Sequence, residues 1–215
     1  MFLYFNGCSY THGAYEVETN QRFSTLVSNR LGADHYNHAK AGSSNDEIVE
    51  RTLNWLRDNT CDHAIILLTH CARMNMNIKL APNIGKTIEE RETNQLFYDK
   101  FYSHELGATN FYKNRYILEQ AFEKKGIPLL LIQYVPLSYQ GTNIWRELCH
   151  GDLPLVAKTT WNNFELSSSI KTILGRRGNK EYYWSDKENK SIGHFNHRGH
   201  EKIADWIIDK LTSTI

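Results

Sequence analysis

Two short stretches, near opposite ends of the chain, carry the residue types of nucleophilic chemistry. The first is Asn6-Gly7-Cys8-Ser9-Tyr10-Thr11-His12-Gly13, which follows directly on the apolar run Phe2-Leu3-Tyr4-Phe5. A Ser in a tight, glycine-flanked turn after a strand is held at the mouth of a sheet. Backbone N–H groups at the start of a following helix could there stabilise an oxyanion. Taken alone, the same motif also reads as a plain strand–turn with a solvated Ser. No Gly-Lys-Ser/Thr follows, so it is not a phosphate loop. The second stretch is Ile192-Gly193-His194-Phe195-Asn196-His197-Arg198-Gly199-His200, just before a terminal amphipathic pattern. A nucleophilic Ser needs a base within hydrogen-bond reach, and the far end of a chain can supply it. The spacing His194-x-x-His197-x-x-His200 also invites a metal reading. It is weak, because the three cannot share one face of a regular helix and no carboxylate or Cys completes a set. His197 reads better as a helix-start residue, and His200 as a hydrogen-bonded or partly buried side chain.

The elements that must position these residues follow from the apolar periodicity. Phe2–Phe5, Ala64-Ile65-Ile66-Leu67-Leu68 and Pro128–Tyr134 are short continuous apolar runs suited to buried parallel strands. Phe23, Leu26, Val27 and Leu31 mark a helix stopped by Gly32. Ser44 and Glu47 have capping-box spacing ahead of Ile48, Val49, Leu53 and Leu56. Further helices are expected from about Asn110 to Lys125, from Trp161 to Leu174, and from about His197 to Leu211. Strands alternating with helices imply a three-layer α/β/α domain. The expectation is a five-stranded parallel sheet from residues near 2–6, 34–37, 63–69, 127–135 and 181–185, in the flavodoxin-like order 2-1-3-4-5. A single domain over 1–215 would carry insertions near 74–109, where little periodicity is visible, and 136–158.

Composition narrows the function. In 215 residues, 25 Lys+Arg stand against 24 Asp+Glu, so the net charge of +1 offers no bulk attraction for nucleic acid or anionic lipid. The four cysteines are scattered without a C-x-x-C pair, so neither a disulfide framework nor a structural zinc site is signalled. No segment reaches the roughly 20 apolar residues of a spanning helix. The N-terminal Met-Phe-Leu-Tyr-Phe-Asn-Gly has no basic or apolar stretch of signal-peptide type and reads as a strand. A cytoplasmic location is expected, or host cytoplasm or virion for a phage-encoded protein.

Gly7-Cys8-Ser9-Tyr10-Thr11 resembles the first block of the SGNH/GDSL hydrolases, whose usual form is Gly-Asp-Ser. Asn37-His38-Ala39-Lys40-Ala41-Gly42-Ser43-Ser44-Asn45 resembles the second, with Gly42 at the family glycine. His194-Phe195-Asn196-x-x-Gly199 resembles the final His-Pro-Asn/Ser-x-x-Gly block. The order and length fit nearly the whole chain, and the wording of the blocks is similar to the phage-encoded branch. The resemblance implies hydrolysis of an ester, or deacetylation of a saccharide, without metal or organic cofactor. Ser9 would be the nucleophile and His194 the base. The N–H groups of Ser9 and Gly42, with His70 where the third block has its Asn, would form the oxyanion hole. The partner would be a small ester or an acetylated glycan. Cys8 departs from the family Asp, and Ser191 stands at the family's acid position, so Asp186 is the candidate orienting acid, with a Ser-His dyad as the alternative. Two other readings stay open: a degraded member of the fold used for binding carbohydrate or protein, virion components included, and a thiol enzyme using Cys8. The hydrolase reading requires Ser9 and His194 to meet at the carboxyl end of the sheet, with Gly42 and His70 on the same cleft.

Overall fold

The computed structural model describes residues 1–13, 17–75, 79–80, 87–134, 173–174, 181–185 and 191–213. Its centre is a parallel sheet of β1 (Phe2–Asn6), β2 (Asp34–Asn37), β3 (His63–Leu68) and β6 (Leu129–Gln133), in the order β2-β1-β3-β6. Between β3 and β6 come two short strands, β4 (Met74–Asn75) and β5 (Lys79–Leu80), paired antiparallel with each other. Around the sheet lie α1 (Ser9–His12), α2 (Phe23–Leu31), α3 (Asn45–Asp58), α4 (Ile88–Lys100), α5 (His104–Lys125) and the last helix, α6 (His197–Thr212). Among the described residues no helix is long and apolar enough to cross a membrane.

The three layers follow from the two-residue period of the strands. Leu3 and Phe5 of β1, Ile65 and Leu67 of β3, and Leu130 and Ile132 of β6 point to one side. They pack there with Phe23 and Val27 of α2 and with Ile203, Ala204 and Ile207 of α6. Tyr4, Ala64, Ile66, Leu68 and Leu131 point to the other side and meet Ile48, Val49 and Leu56 of α3 and Phe111, Leu118 and Phe122 of α5. β1 is flanked by β2 and β3, so the strand that leads into Ser9 is central rather than an edge.

The expected order 2-1-3-4 holds, but the fifth strand is corrected. Tyr183–Ser185 (β7) is a strand, yet it pairs antiparallel with Ser191–Phe195 (β8) in a separate two-stranded ribbon, Tyr183 opposite Phe195. The residues after β8 hold this segment locally. Asn196 N–H donates to the Tyr182 carbonyl (3.0 Å), and its side chain donates to the Glu181 carbonyl (2.8 Å). A short hairpin closes at less entropic cost than a crossover back to a sheet edge.

The stretch 74–109 is also more regular than its sequence suggests. Thr87 caps α4 through a reciprocal box with Glu90, and α5 begins at His104, not Asn110. The early turns of α5 escape an apolar pattern because their buried face is partly polar. Asn110 and Asn114 are buried there to donate to the Asp46 carboxylate of α3, at 3.1 and 2.9 Å. The expected segments 136–158 and 161–174 lie outside the described residues, apart from a helical Ile173-Leu174.

Helices α2 and α6 are joined by a buried imidazole. His200, 1% exposed, accepts the N–H of Phe23, the first residue of α2, at Nδ1 (3.1 Å) and stacks on the Phe23 ring. Burial, with a smaller push from Arg22, lowers its pKa to about 3. Above pH 6.5 the imidazole is neutral folded or unfolded, so it adds no pH dependence. Below 6.5 the unfolded chain binds a proton that the folded chain refuses until about pH 3. Stability should therefore fall with pH across that window, by up to about 1.4 kcal/mol per pH unit from this residue. His200→Asn keeps an acceptor for Phe23 N–H but does not titrate. Denaturant midpoints from pH 7 to 4 should fall less steeply in this variant than in the unaltered protein. Equal slopes would remove His200 as the cause.

Candidate active site

The turn that carries Ser9 is built by close packing at the end of β1. A Cβ on Gly7 would come within 2.2 Å of Thr11 Oγ1 and 3.0 Å of the Leu67 carbonyl, so a side chain there would push the turn off β3. Cys8 precedes the single turn α1, its carbonyl accepting from Thr11 and His12 N–H, at 3.1 and 2.9 Å. Its thiol is fully buried in the core on the α2/α6 side of the sheet. That placement removes Cys8 as an accessible nucleophile. Ser9 comes next, as the first residue of α1. Its N–H has no acceptor within its own helix and is available to a ligand.

A buried polar network holds this turn from beneath. Asn6 is fully buried, and its Oδ1 accepts from Gly7 N–H (2.8 Å) and from Arg51 Nη2 (3.1 Å). Its Nδ2 lies 2.8 Å from Thr52 Oγ1, 3.1 Å from the Ile48 carbonyl and 3.2 Å from Tyr4 OH. Arg51 Nη2 also reaches the Gly7 carbonyl, at 3.3 Å. Burial dominates at Tyr4 and pushes its phenol up to about 12, so it remains a neutral member of the network.

His194 arrives from β8. Its Nε2 lies 2.9 Å from Ser9 Oγ, although 185 positions separate the two residues. With Nε2 unprotonated, the hydroxyl donates and the imidazole is placed to take its proton. Asn196 fixes where β8 ends, its side chain capping α6 through Gly199 N–H at 3.0 Å. The ring of His194 lies on Tyr10, with centroids 4.9 Å apart.

Gly42 and His70 come to the same end of the sheet on neighbouring connections. Gly42 has φ of 75°, the left-handed conformation that glycine adopts without strain. Its loop is laid along the end of β1 by His38 N–H to the Phe5 carbonyl (2.8 Å) and Lys40 N–H to the Gly7 carbonyl (3.3 Å). The loop is then tied to the end of β3 by Asn45, which exchanges hydrogen bonds with the backbone of Thr69 (2.8 and 3.2 Å). His70 follows. The Ala72 N–H donates to its Nδ1 (3.1 Å), which leaves Nε2 as the protonated, donating nitrogen of the neutral ring. Partial burial, then Arg73 and His104, lower its pKa and favour that neutral form. Asp186 lies outside the described residues. Ser191, at the family's acid position, pairs with Ser185 in the β7–β8 ribbon.

The three histidines of the His-x-x-His-x-x-His spacing do not converge. His194 meets Ser9, His197 is exposed at the start of α6, and His200 is buried against α2. Among the described residues no group of three or more His, Cys, Asp or Glu is arranged to hold a metal ion. Sequence reasoning missed Tyr10, Asn6 and Arg51. Only the place of Asn6 and Tyr10 beside the Gly7–Ser9 turn could have pointed to them, and nothing in its surroundings marks Arg51.

No protein-family model and no curated protein matches the sequence. Solved structures do match in three dimensions. The crystal structure of TesA superposes with a TM-score of 0.57 at 14% identity, covering 98% of this chain and 99% of that one. An acetyl xylan esterase, AlAXEase, gives 0.53 at 14% identity over 98% and 100%. A member of the lipolytic G-D-S-L protein family from Veillonella parvula gives 0.50 at 17% identity over 98% of each chain.

The network beneath the turn predicts an order of stabilities. Asn6→Leu strands Gly7 N–H and leaves Arg51 Nη2 with the longer bond to the Gly7 carbonyl, and should cost about 3 kcal/mol in denaturant unfolding. Arg51→Met leaves the Asn6–Gly7 bond in place and also removes an Arg51 Nε that is buried without a partner among the described residues, so it should cost clearly less. Equal losses, or the reverse order, would show that Asn6 is not the centre of the network.

Proposed function

We propose that this chain, which has the fold of the SGNH/GDSL hydrolases, is a serine ester hydrolase working through Ser9 and His194. The observation that carries this reading is the 2.9 Å contact between Ser9 Oγ and His194 Nε2 at the carboxyl end of a parallel sheet, where such sheets place their ligands. Ser9 Oγ forms a bond to the acyl carbon while its proton passes to His194 Nε2. The developing oxyanion is met by the N–H groups of Ser9 and Gly42 and by Nε2–H of His70. The bond to the alcohol oxygen then breaks, and the alcohol leaves with the proton from the imidazolium. Water, deprotonated by His194, attacks the acyl-enzyme and releases the acid, and Ser9 regains its proton.

Asp186, in the connection between β7 and β8, is the residue we assign to hold the other imidazole nitrogen, with a backbone carbonyl and a Ser-His dyad as the alternative. The substrate class is a small ester or an O-acetylated saccharide, a reading supported by the acetyl xylan esterase among the similar structures. One domain spanning 1–215 would carry the activity, with the insertions near 74–109 and 136–158 setting specificity.

Turnover of p-nitrophenyl acetate should fall at least about a thousandfold in both Ser9→Ala and His194→Ala, since nucleophile and base act as a unit. A fluorophosphonate probe should leave its adduct on Ser9. Asp186→Asn should cost nearly as much if Asp186 orients the base, and clearly less if the centre is a dyad. Undiminished activity in Ser9→Ala would end the serine mechanism. Absence of both turnover and adduct in the unaltered protein would return the fold to a binding role.

A further inference from the structure

His194 touches two consecutive residues of α1. Its Nε2 meets Ser9, and its ring stacks on Tyr10 with centroids 4.9 Å apart and planes 20° from parallel. Tyr10 is 6% exposed, so its ring orientation is set by packing. Tyr134, just beyond β6, stacks on the Tyr10 ring at 4.5 Å and 22°, and Phe195 packs against it at 4.8 Å and 35°. The imidazole is thus fixed in two directions, by a hydroxyl at one ring nitrogen and by an aromatic face across the ring.

That face distinguishes the two protonation states of the base. A cation within about 6 Å of an aromatic centroid is attracted by the negative face of the ring, and more strongly where water is excluded. Neutral imidazole gains much less from the same contact. The benefit therefore appears only after Ser9 has given up its proton, which is the condition for lowering a barrier rather than tightening a ground state. Fixing the plane of the ring also keeps Nε2 aimed at Ser9 Oγ.

We propose that Tyr10, backed by Tyr134, is a positioning residue for His194 that sets the plane of the imidazole and stabilises the imidazolium formed during the reaction. This rests on the reading of Ser9 and His194 as nucleophile and base. From α1, the Ser9 hydroxyl and the Tyr10 ring are set against His194. On α6, His200 instead faces Phe23 and Phe195.

The test keeps the shape of Tyr10 and changes its electrons. Tyr10→Phe is compared with versions in which that phenyl ring is progressively fluorinated, which weakens the negative face without removing the packing. The first readout is the NMR titration of the His194 imidazole in the substrate-free protein, which needs no turnover. Its midpoint should fall stepwise with fluorination, by about half a pH unit at three fluorines, roughly a threefold change in the protonation constant. In parallel kcat should fall while KM stays unchanged. Tyr10→Leu should show the full loss, and Tyr10→Phe should recover most of it. A midpoint indifferent to fluorination in the folded protein overturns the inference, even with ester turnover intact. A graded midpoint without any ester turnover supports the ring coupling and overturns the hydrolase reading instead.

Discussion

One buried carboxamide decides where the turn that carries Ser9 can sit. Asn6 is the last residue of β1, and its side chain joins that strand to the middle of α3 through Ile48, Arg51 and Thr52. The same oxygen that accepts from Arg51 also accepts the N–H of Gly7, so the chain cannot leave β1 in another direction without stranding a buried donor. Ser9 inherits its position from this arrangement. It lies two residues beyond a glycine that is packed too tightly for any side chain, and one beyond a cysteine sunk into the core. The strand is central, flanked by β2 and β3, so the turn emerges between two further connections that supply Gly42 and His70.

The partner of Ser9 arrives by a different route. His194 sits on a short ribbon outside the main sheet, so the sheet's register does not fix it. Two local devices do so instead: Asn196, which caps α6 while bonding back to Glu181 and Tyr182, and the ring of Tyr10, on which the imidazole lies. α6 is in turn fastened to α2 by the hydrogen bond from Phe23 to His200 and by shared burial of Phe23, Ile203 and Ile207. The two ends of the chain therefore meet through a helix pair on one face of the sheet. The connections that carry Gly42 and His70 are tied to α3, and through it to α5, on the other face. Segments from both layers come together at the carboxyl ends of the strands.

The parts legible in the sequence are those where local pattern and burial agree. β1, β3 and β6 are apolar runs buried on both faces, and Ser44 with Glu47 announces α3. Thr87 and Glu90 have the same capping spacing, but no apolar stripe follows, because α4 buries little beyond Asn94 and leaves Leu96 and Phe101 in solvent. α5 hides its first turns for the opposite reason, since the residues it buries include Asn110, Asn114 and Arg115, which a hydropathy pattern places outside. β7 was visible as a strand but not as a hairpin partner. Strand propensity carries no information about which edge a three-residue segment will find. At the site, types and order of Ser9, Gly42 and His194 were readable. The Tyr10 stack and the Asn6–Arg51 network were not, because both depend on contacts between distant segments.

The three histidines at His194, His197 and His200 show why spacing alone could not have chosen among them. Each stands three residues from the next, and each ends in a different environment because β8 gives way to α6 between the first and the second. His197 falls on the exposed face of the new helix. His200 falls on its buried face, where its Nδ1 is occupied by the Phe23 N–H and its pKa of about 3 keeps it neutral at any physiological pH. It can lock two helices together, but it cannot exchange a proton with a bound substrate. Only His194, on the strand side of the boundary, projects toward the turn after β1. The Asn196 cap sets that boundary, so the residue that ends the strand also determines which imidazole reaches Ser9.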